Sequence, residues 1–156
     1  MLFRSNPLAT GGDAVVLTSS LGALSAVVDN QDGSYTASLT AGYTPGSAVI
    51  TGTINGLHIV DQVTVAFRPG SSSGAQTTIL ATEKELVADG VSSTTIVVEA
   101  KDANGNQLAV GGDILELTTS LGTLSPITDN NNGSYVATLT APTVSGSTTI
   151  TGTVNG

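Results

Sequence analysis

Apolar and polar residues alternate in short runs along most of this chain, a pattern typical of half-buried β-strands. In Thr94–Ala100, Ile96 and Val98 share one face with Thr94 and Ala100, while the residues between them form the other face. The same alternation predicts strands over Asp113–Thr118, Tyr35–Thr40, Tyr135–Thr140, Thr149–Val154 and Leu57–Phe67. A broken first strand is predicted over Thr77–Ala81 and Glu85–Val87. Thr82–Leu86 is the one briefly helical stretch, and it is too short to form a helix alone.

Turn residues separate these runs. Asn55-Gly56 and Asn104-Gly105 tolerate the positive φ of a tight hairpin. The segments Asp29–Gly33 and Asp129–Gly133 carry side chains that can cap their own turns. Strands at this spacing favour an antiparallel β-sandwich of immunoglobulin type.

The chain repeats itself at an offset of 100 residues. Residues 11–56 and 111–156 align without a gap and are identical at 27 of 46 positions. Leu57–Arg68 follows the first copy, whereas Ala75–Val110 precedes the second. We therefore predict the C-terminal part of one immunoglobulin-like repeat over residues 1–68, a linker over 69–74, and the N-terminal part of a second repeat over 75–156.

The fold class predicted is therefore all-β, with tandem immunoglobulin-like antiparallel sandwiches that are both incomplete. Leu57–Phe67 is expected to pair within its own copy, because the two-residue turn Asn55-Gly56 ties it there. The first copy should then expose a sheet edge, and an exposed edge favours self-association.

Composition narrows the function classes. Only 10% of residues are charged, against about a quarter in a typical domain. With four basic residues and a net charge of −8, a phosphate-binding surface is not expected, and nucleic acid is excluded as a partner. The chain has no Cys, hence no disulfide or thiolate site, and no apolar run near the ~18 residues of a membrane helix. The 24 threonines instead fit strand faces that are covered without charge.

Candidate sites have plain structural interpretations. His58 lies at the start of a strand and is interpreted as a surface residue. Asp102, Asn104 and Asn106 alternate as in a calcium loop, but the Gly and the distant Glu of that loop are missing, so a hairpin turn is favoured. We predict no catalytic, cofactor-binding or metal-binding residues.

Two further features recur in both copies. Asp29 and Asp32 are candidates for weak calcium binding. The second copy has Asn132 in place of Asp32, so we favour a self-capped turn. Tyr35 and Tyr135 each follow a Gly turn, as a tyrosine-corner residue does. We expect a largely buried ring with its hydroxyl bonded to nearby backbone; the alternative is an exposed ligand contact.

Taken in order, several segments give the chain a family resemblance. It resembles the group 1 bacterial immunoglobulin-like domains, in particular the stalk repeats of invasin and intimin, and the likeness extends from Asn6 through both copies. The segments that carry it are Ala88–Gly90, Thr94–Ala100, Lys101–Asn106, Thr119–Ser125 and Asp129–Thr140. The Asp-Gly-Tyr strand entry is also similar to filamin-type repeats, which supports the fold alone.

The resemblance implies a non-enzymatic spacer in a bacterial surface adhesin, anchored in the outer membrane or secreted. Its partners would be neighbouring repeats of the same chain, and a host receptor or polysaccharide would be bound through tip domains that this segment lacks. This segment would not itself insert into a membrane. A ligand-binding module and an accessory domain of a secreted hydrolase remain as alternatives.

The first five residues depart from the repeat. In register, Met1–Ser5 corresponds to Lys101–Gly105 but does not match it. Leu2–Ser5 equals the translated end of a common sequencing adapter. We therefore expect Met1–Ser5 not to be native, against the alternative of an ordinary N-terminus.

Overall fold

A computed structural model describes residues 9–156. The chain forms two compact units, the first ending at Arg68 and the second beginning at Pro69. The hypothesis on Met1–Ser5 lies outside the described residues. Within them the chain is all-β, with fifteen strands, every pairing antiparallel, and no helix. The strands are β1 (Val15–Ser19), β2 (Ala23–Leu24), β3 (Val28–Asp29), β4 (Tyr35–Thr36), β5 (Leu39–Thr40), β6 (Gly46–Ile54), β7 (Leu57–His58), β8 (Val63–Phe67), β9 (Thr78–Ala81), β10 (Ser93–Glu99), β11 (Leu115–Thr119), β12 (Thr123–Leu124), β13 (Thr128–Asp129), β14 (Ser134–Thr140) and β15 (Ile150–Val154).

The first unit is built around β6. This strand pairs with β1 along one edge and with β7 and β8 along the other. The pairs β2–β5 and β3–β4 complete the described part of this unit. Leu57–Phe67 thus pairs within its own copy, as predicted, although it forms two strands rather than one.

The second unit holds a larger sheet. Its order is β12-β14-β10-β9, with β13 also paired to β14, while β11 and β15 form a separate pair. The inner face of β10 carries Thr94, Ile96 and Val98, which are all buried, as the alternation predicts. Val98, Ala100 and Tyr135 form the core cluster, and Leu108, Leu115, Leu117 and Ile127 pack against it.

The two copies differ where their neighbours differ. β14 is one seven-residue strand because β10 supports it along its whole length. Within residues 9–68 no counterpart of β10 exists, and the equivalent stretch breaks into β4 and β5. The two stretches, residues 34–40 and 134–140, are identical at five of seven positions, so we attribute the difference in strand length to strand pairing.

One sequence-based expectation near residue 80 is wrong, because Glu85–Val87 forms no strand. Thr82–Leu86 forms no helix, in agreement with its short length. The chain instead leaves the sheet after Ala81, where Glu83 N–H donates to Thr94 Oγ1 at 2.8 Å. That side-chain bond replaces the ladder that a continued β9 would need.

Candidate functional site

The acidic turns of both copies are closed by their own side chains. Asp29 accepts hydrogen bonds from the N–H of Gln31 and of Gly12, each at 2.8 Å. Asp129 accepts the equivalent bonds at 2.7 and 2.8 Å. A side chain on Gly11 would collide with the Asp29 carboxylate and displace it from this position. The carboxylates thus act as the turn caps predicted from the sequence.

The later position of each turn works the same way. Asp32 Oδ1 accepts from the N–H and the hydroxyl of Ser34, at 2.9 and 2.6 Å, and these bonds lower the pKa of Asp32. Asn132 accepts the same pair from Ser134, at 3.0 and 2.7 Å. An uncharged amide performs the role equally, so the role is structural and needs no charge.

The two tyrosines hold the strand before them. Tyr35 accepts a hydrogen bond from Asp13 N–H, and Tyr135 accepts one from Asp113 N–H, both at 2.9 Å. The predicted hydroxyl–backbone bond is confirmed in both copies. The predicted burial is confirmed for Tyr135, whose burial raises its pKa, whereas Tyr35 is only half-buried. Tyr35 lacks the cover that β10 gives to Tyr135.

In the described part of the chain, the Asp102 carboxylate accepts several hydrogen bonds from two separate segments. It is 2% exposed and accepts bonds from the N–H of Asn104 and Asn106 and from the Asn106 amide, at 2.9–3.0 Å. It also accepts from Gly70 N–H at 3.0 Å. The bonds from the Asn106 side chain and from Gly70 hold its pKa at about 2. Asp102, Asn104 and Asn106 therefore form a turn. Through Asp102, that turn also binds Gly70, which precedes β9.

A second hydrogen-bond network joins residues 69–74 to Asp113 and to Asn155. Ser72 Oγ donates to Asp113 Oδ1 at 2.8 Å, and the Asn155 amide donates to both, at 2.9 and 2.8 Å. In the first copy the Asn55 amide donates to Asp13 at 2.7 Å. The Asp–Asn pair is thus a property of the repeat, and the second copy adds Ser72 to it.

Residues 69–74, predicted as a short flexible or extended linker, are held by the second unit. Besides Gly70 and Ser72, Ser73 N–H donates to the Lys101 carbonyl at 2.7 Å. These three attachments tie the segment to the second unit. The sequence analysis did not predict these contacts. The only related signal is that Asp13 and Asn55 recur as Asp113 and Asn155, the pair that Ser72 joins.

No reactive constellation emerges among residues 9–156. His58 lies in β7 and is exposed, as predicted. No group of three or more His, Asp or Glu side chains in this range is arranged to hold a metal ion. None of its elements is a helix long and apolar enough to cross a membrane.

The second unit contains one large open groove. Its volume is about 860 Å³, and it runs from β9 and the segment after it to the residues before β15. Apolar side chains of Ile79, Leu86 and Val144 line it together with Ile96 and Leu139. Its lining combines residues of the larger sheet with Ile150 of β15.

Fold and turn chemistry together define a class: tandem immunoglobulin-like β-sandwich repeats that carry self-capped acidic turns and tyrosine–backbone locks. Comparison with known proteins gives the family. Residues 4–70 and 73–156 each match the family described as invasin, domain 3. The chain belongs to this family of invasin/intimin-type immunoglobulin-like domains.

Solved structures agree with this assignment. Invasin, described as a bacterial integrin-binding protein, is 28% identical with a TM-score of 0.67 and is matched over 95% of this chain. The Escherichia coli adhesin FdeC is 30% identical with a TM-score of 0.68 over 97%. InvD of Yersinia pseudotuberculosis is 29% identical with a TM-score of 0.65 over 93%. The chain spans only 31%, 50% and 43% of those three structures, respectively.

Proposed function

We propose that this chain is a non-enzymatic spacer segment of a bacterial cell-surface adhesin, anchored in the outer membrane or secreted. The observation that carries the proposal is the attachment of residues 69–74 to the second unit through Asp102 and Asp113. A spacer must transmit force between successive units, and a segment fixed by hydrogen bonds extends less than a free one. Membership in a family with adhesin relatives supports the surface location.

The chemistry of the described residues supports the non-enzymatic part. The carboxylates of Asp29, Asp102 and Asp129 accept hydrogen bonds from backbone N–H groups in their own turns. A general base needs a free lone pair directed at a substrate. The partners that we propose are neighbouring repeats of the same chain, while a host receptor or polysaccharide would be bound by other domains of the parent protein.

Single-molecule extension tests the spacer role. The chain is held between two marker domains and pulled, and each released residue adds roughly 3.3–3.6 Å of length. We expect Pro69–Gly156 to be released in one step that includes residues 69–74. Extension of those six residues before the rest of the unit would contradict the proposal, and Asp102→Ala should produce that early extension.

Cell binding tests the alternative of a ligand-binding module. The purified chain, labelled on an added terminal tag, is incubated with cultured host cells over a wide concentration range. We expect no saturable binding. Saturable binding that unlabelled chain competes away would show that the segment recognises a ligand itself, and it would overturn a purely spacing role.

A further inference from the structure

The chain contains four Asn-Gly pairs, at residues 55–56, 104–105, 132–133 and 155–156. An asparagine that precedes glycine is prone to spontaneous deamidation, because glycine has no side chain to shield its main-chain nitrogen. In this reaction the glycine nitrogen attacks the side-chain amide carbon of the asparagine. The asparagine side chain must therefore be free to rotate, and its hydrogen bonds decide how readily each pair reacts.

The asparagine of the first pair is held at both ends of its amide. Asn55 Oδ1 accepts a hydrogen bond from Ala14 N–H at 2.9 Å, and Asn55 Nδ2 donates to the Asp13 carboxylate at 2.7 Å. Its counterpart Asn155 is held by the equivalent pair of bonds. Rotation of either side chain must break both bonds, and a bond to a carboxylate is stronger than one between neutral groups.

Asn132 is restrained both at its side chain and at the glycine that follows. Its Oδ1 accepts hydrogen bonds from the N–H and the hydroxyl of Ser134, at 3.0 and 2.7 Å. Gly133 is buried, and a side-chain carbon added there would collide with the Leu108 carbonyl. The main chain at Gly133 therefore has little room to move towards the Asn132 amide carbon.

Asn104 has neither kind of restraint. It is exposed, and its side chain makes no hydrogen bond with any residue in the range 9–156. Gly105 is also exposed, and a side-chain carbon added there would meet only Gln76 Oε1, at 3.7 Å. The Gly105 N–H donates to the Asp102 carbonyl at 2.9 Å. Opening this one exposed turn bond makes the nitrogen available to the Asn104 amide.

The reaction at Asn104 needs only water as a co-reactant. The Gly105 nitrogen loses its proton to solvent and forms a bond to Asn104 Cγ. The bond from Cγ to the amide nitrogen then breaks and ammonia leaves, so the product is a succinimide ring. Water adds to one of the ring carbonyls and breaks its bond to nitrogen, which yields aspartate or isoaspartate at residue 104. In isoaspartate the main chain runs through Cβ and Cγ and so contains an additional carbon atom.

Asp102 connects this turn to the segment before β9. Its carboxylate is 2% exposed and accepts hydrogen bonds from Gly70 N–H and from the main chain and side chain of Asn106. An additional main-chain carbon after residue 104 displaces Asn106 and with it the donors that orient the Asp102 carboxylate. The new carboxylate at residue 104 also belongs to the same turn as Asp102, and like charges repel.

We propose that Asn104 is a site of spontaneous deamidation and that its conversion to isoaspartate loosens the attachment of Gly70 to Asp102. Residues 69–74 thus become less firmly attached to the second unit as the protein ages. The proposal is independent of the spacer role, because it concerns the chemistry of one turn and the contacts of one carboxylate.

Peptide mapping by mass spectrometry tests the site. The full chain is incubated at mildly alkaline pH, which favours loss of the glycine N–H proton, and conversion is followed at each pair. We expect conversion at Asn104 to be at least about tenfold faster than at Asn55 or Asn132, where two side-chain hydrogen bonds must break first. No conversion at Asn104, or conversion at Asn55 or Asn132 that is as fast, would overturn the proposal.

Two controls separate the effect of structure from that of sequence. In concentrated urea the bonds of the folded chain are lost, and the three pairs should react at similar rates. An excess at Asn104 that persists in urea would refute the structural argument. Asn104→Gln keeps the main-chain donors of the turn but would require a larger and less favourable ring. It should stop conversion at residue 104, and continued conversion there would refute the mechanism.

Amide hydrogen exchange followed by NMR tests the consequence. We expect the Gly70 amide to exchange at least about threefold faster in the converted chain than in the fresh chain. The Gly112 amide, which donates to Asp129, should remain unchanged. Asn104→Gln incubated in the same way is the matched control and should keep the Gly70 amide protected. Unchanged exchange at Gly70 after conversion of Asn104, or equal acceleration at Gly112, would overturn the proposed link.

Discussion

Tyr135 accepts a hydrogen bond from Asp113 N–H at 2.9 Å, and the same bond joins Tyr35 to Asp13 at the same distance. One lock thus occurs twice in one chain, buried in the second unit and half-exposed in the first. The pair forms an internal comparison in which the hydrogen bond is constant and only the surroundings change.

Removing the hydroxyl should therefore cost the two units different amounts. Tyr135→Phe removes this bond from a ring that is buried, and we expect the second unit to lose about 1–3 kcal/mol. Tyr35→Phe should destabilise the first unit less, because the Tyr35 ring is only half-buried. Urea unfolding followed by residue-specific NMR signals measures each unit separately. Equal losses would mean that burial does not determine the strength of the lock.

A similar comparison applies to Leu139 and Leu39. Leu139 is 5% exposed in the second unit, whereas Leu39 is half-buried. Leu139→Ala should lower the free energy of unfolding of its unit by about 2–5 kcal/mol, as truncation of a buried leucine does. Leu39→Ala should cost clearly less. The same urea experiment checks both, and a larger loss from Leu39→Ala would contradict the assigned cores.

Asp102 should make the second unit sensitive to acid. Its pKa is lowered from the usual 3.8 to about 2, so its contribution is complete above pH 3.8 and is lost as the pH falls towards 2. We expect the melting temperature of the second unit to fall over that window and Asp102→Asn to flatten the fall. An Asp102→Asn variant whose melting temperature falls as steeply over that window as that of the unchanged chain would contradict this assignment.

Gly152 lies at a close approach between β15 and β11. A methyl group added there would lie 2.6 Å from Leu117 Cδ2 and 2.7 Å from the Glu116 carbonyl oxygen. Gly152→Ala should therefore destabilise the second unit by about 1–3 kcal/mol. Gly74→Ala, which meets only Val154 Cγ1 at 3.6 Å, should be tolerated. Thermal unfolding of both variants decides, and a neutral Gly152→Ala would show that β11 and β15 can separate freely.

The sequence was sufficient for the fold class, because alternation and turn residues are local signals. The faces of Thr94–Ala100 and the caps at Asp29 and Asp129 follow from spacing alone. The split of the strand after Tyr35 was not predictable in that way, since it reflects a missing neighbour rather than any residue within it.

The attachment of residues 69–74 to the second unit could not be predicted from the sequence for a related reason. Small polar residues in sequence indicate freedom, yet Gly70 and Ser72 supply a donor N–H and a hydroxyl that Asp102 and Asp113 accept. These partners lie 32 and 41 residues away, beyond the range of turn and strand patterns. His58 illustrates the reverse case, since an isolated polar residue that was predicted to lie at the surface is exposed.

The unequal lengths of β6 and β15 bear on how genes for such proteins change. Gly46–Ile50 and residues 146–150 are identical at three of five positions, but only the former are all strand. A recombination event that adds or removes one hairpin next to such a stretch would switch its conformation without altering a codon inside it. Repeat number in a tandem gene can thus change while every retained residue keeps its identity, and the conformational adjustment falls on the residues beside the junction.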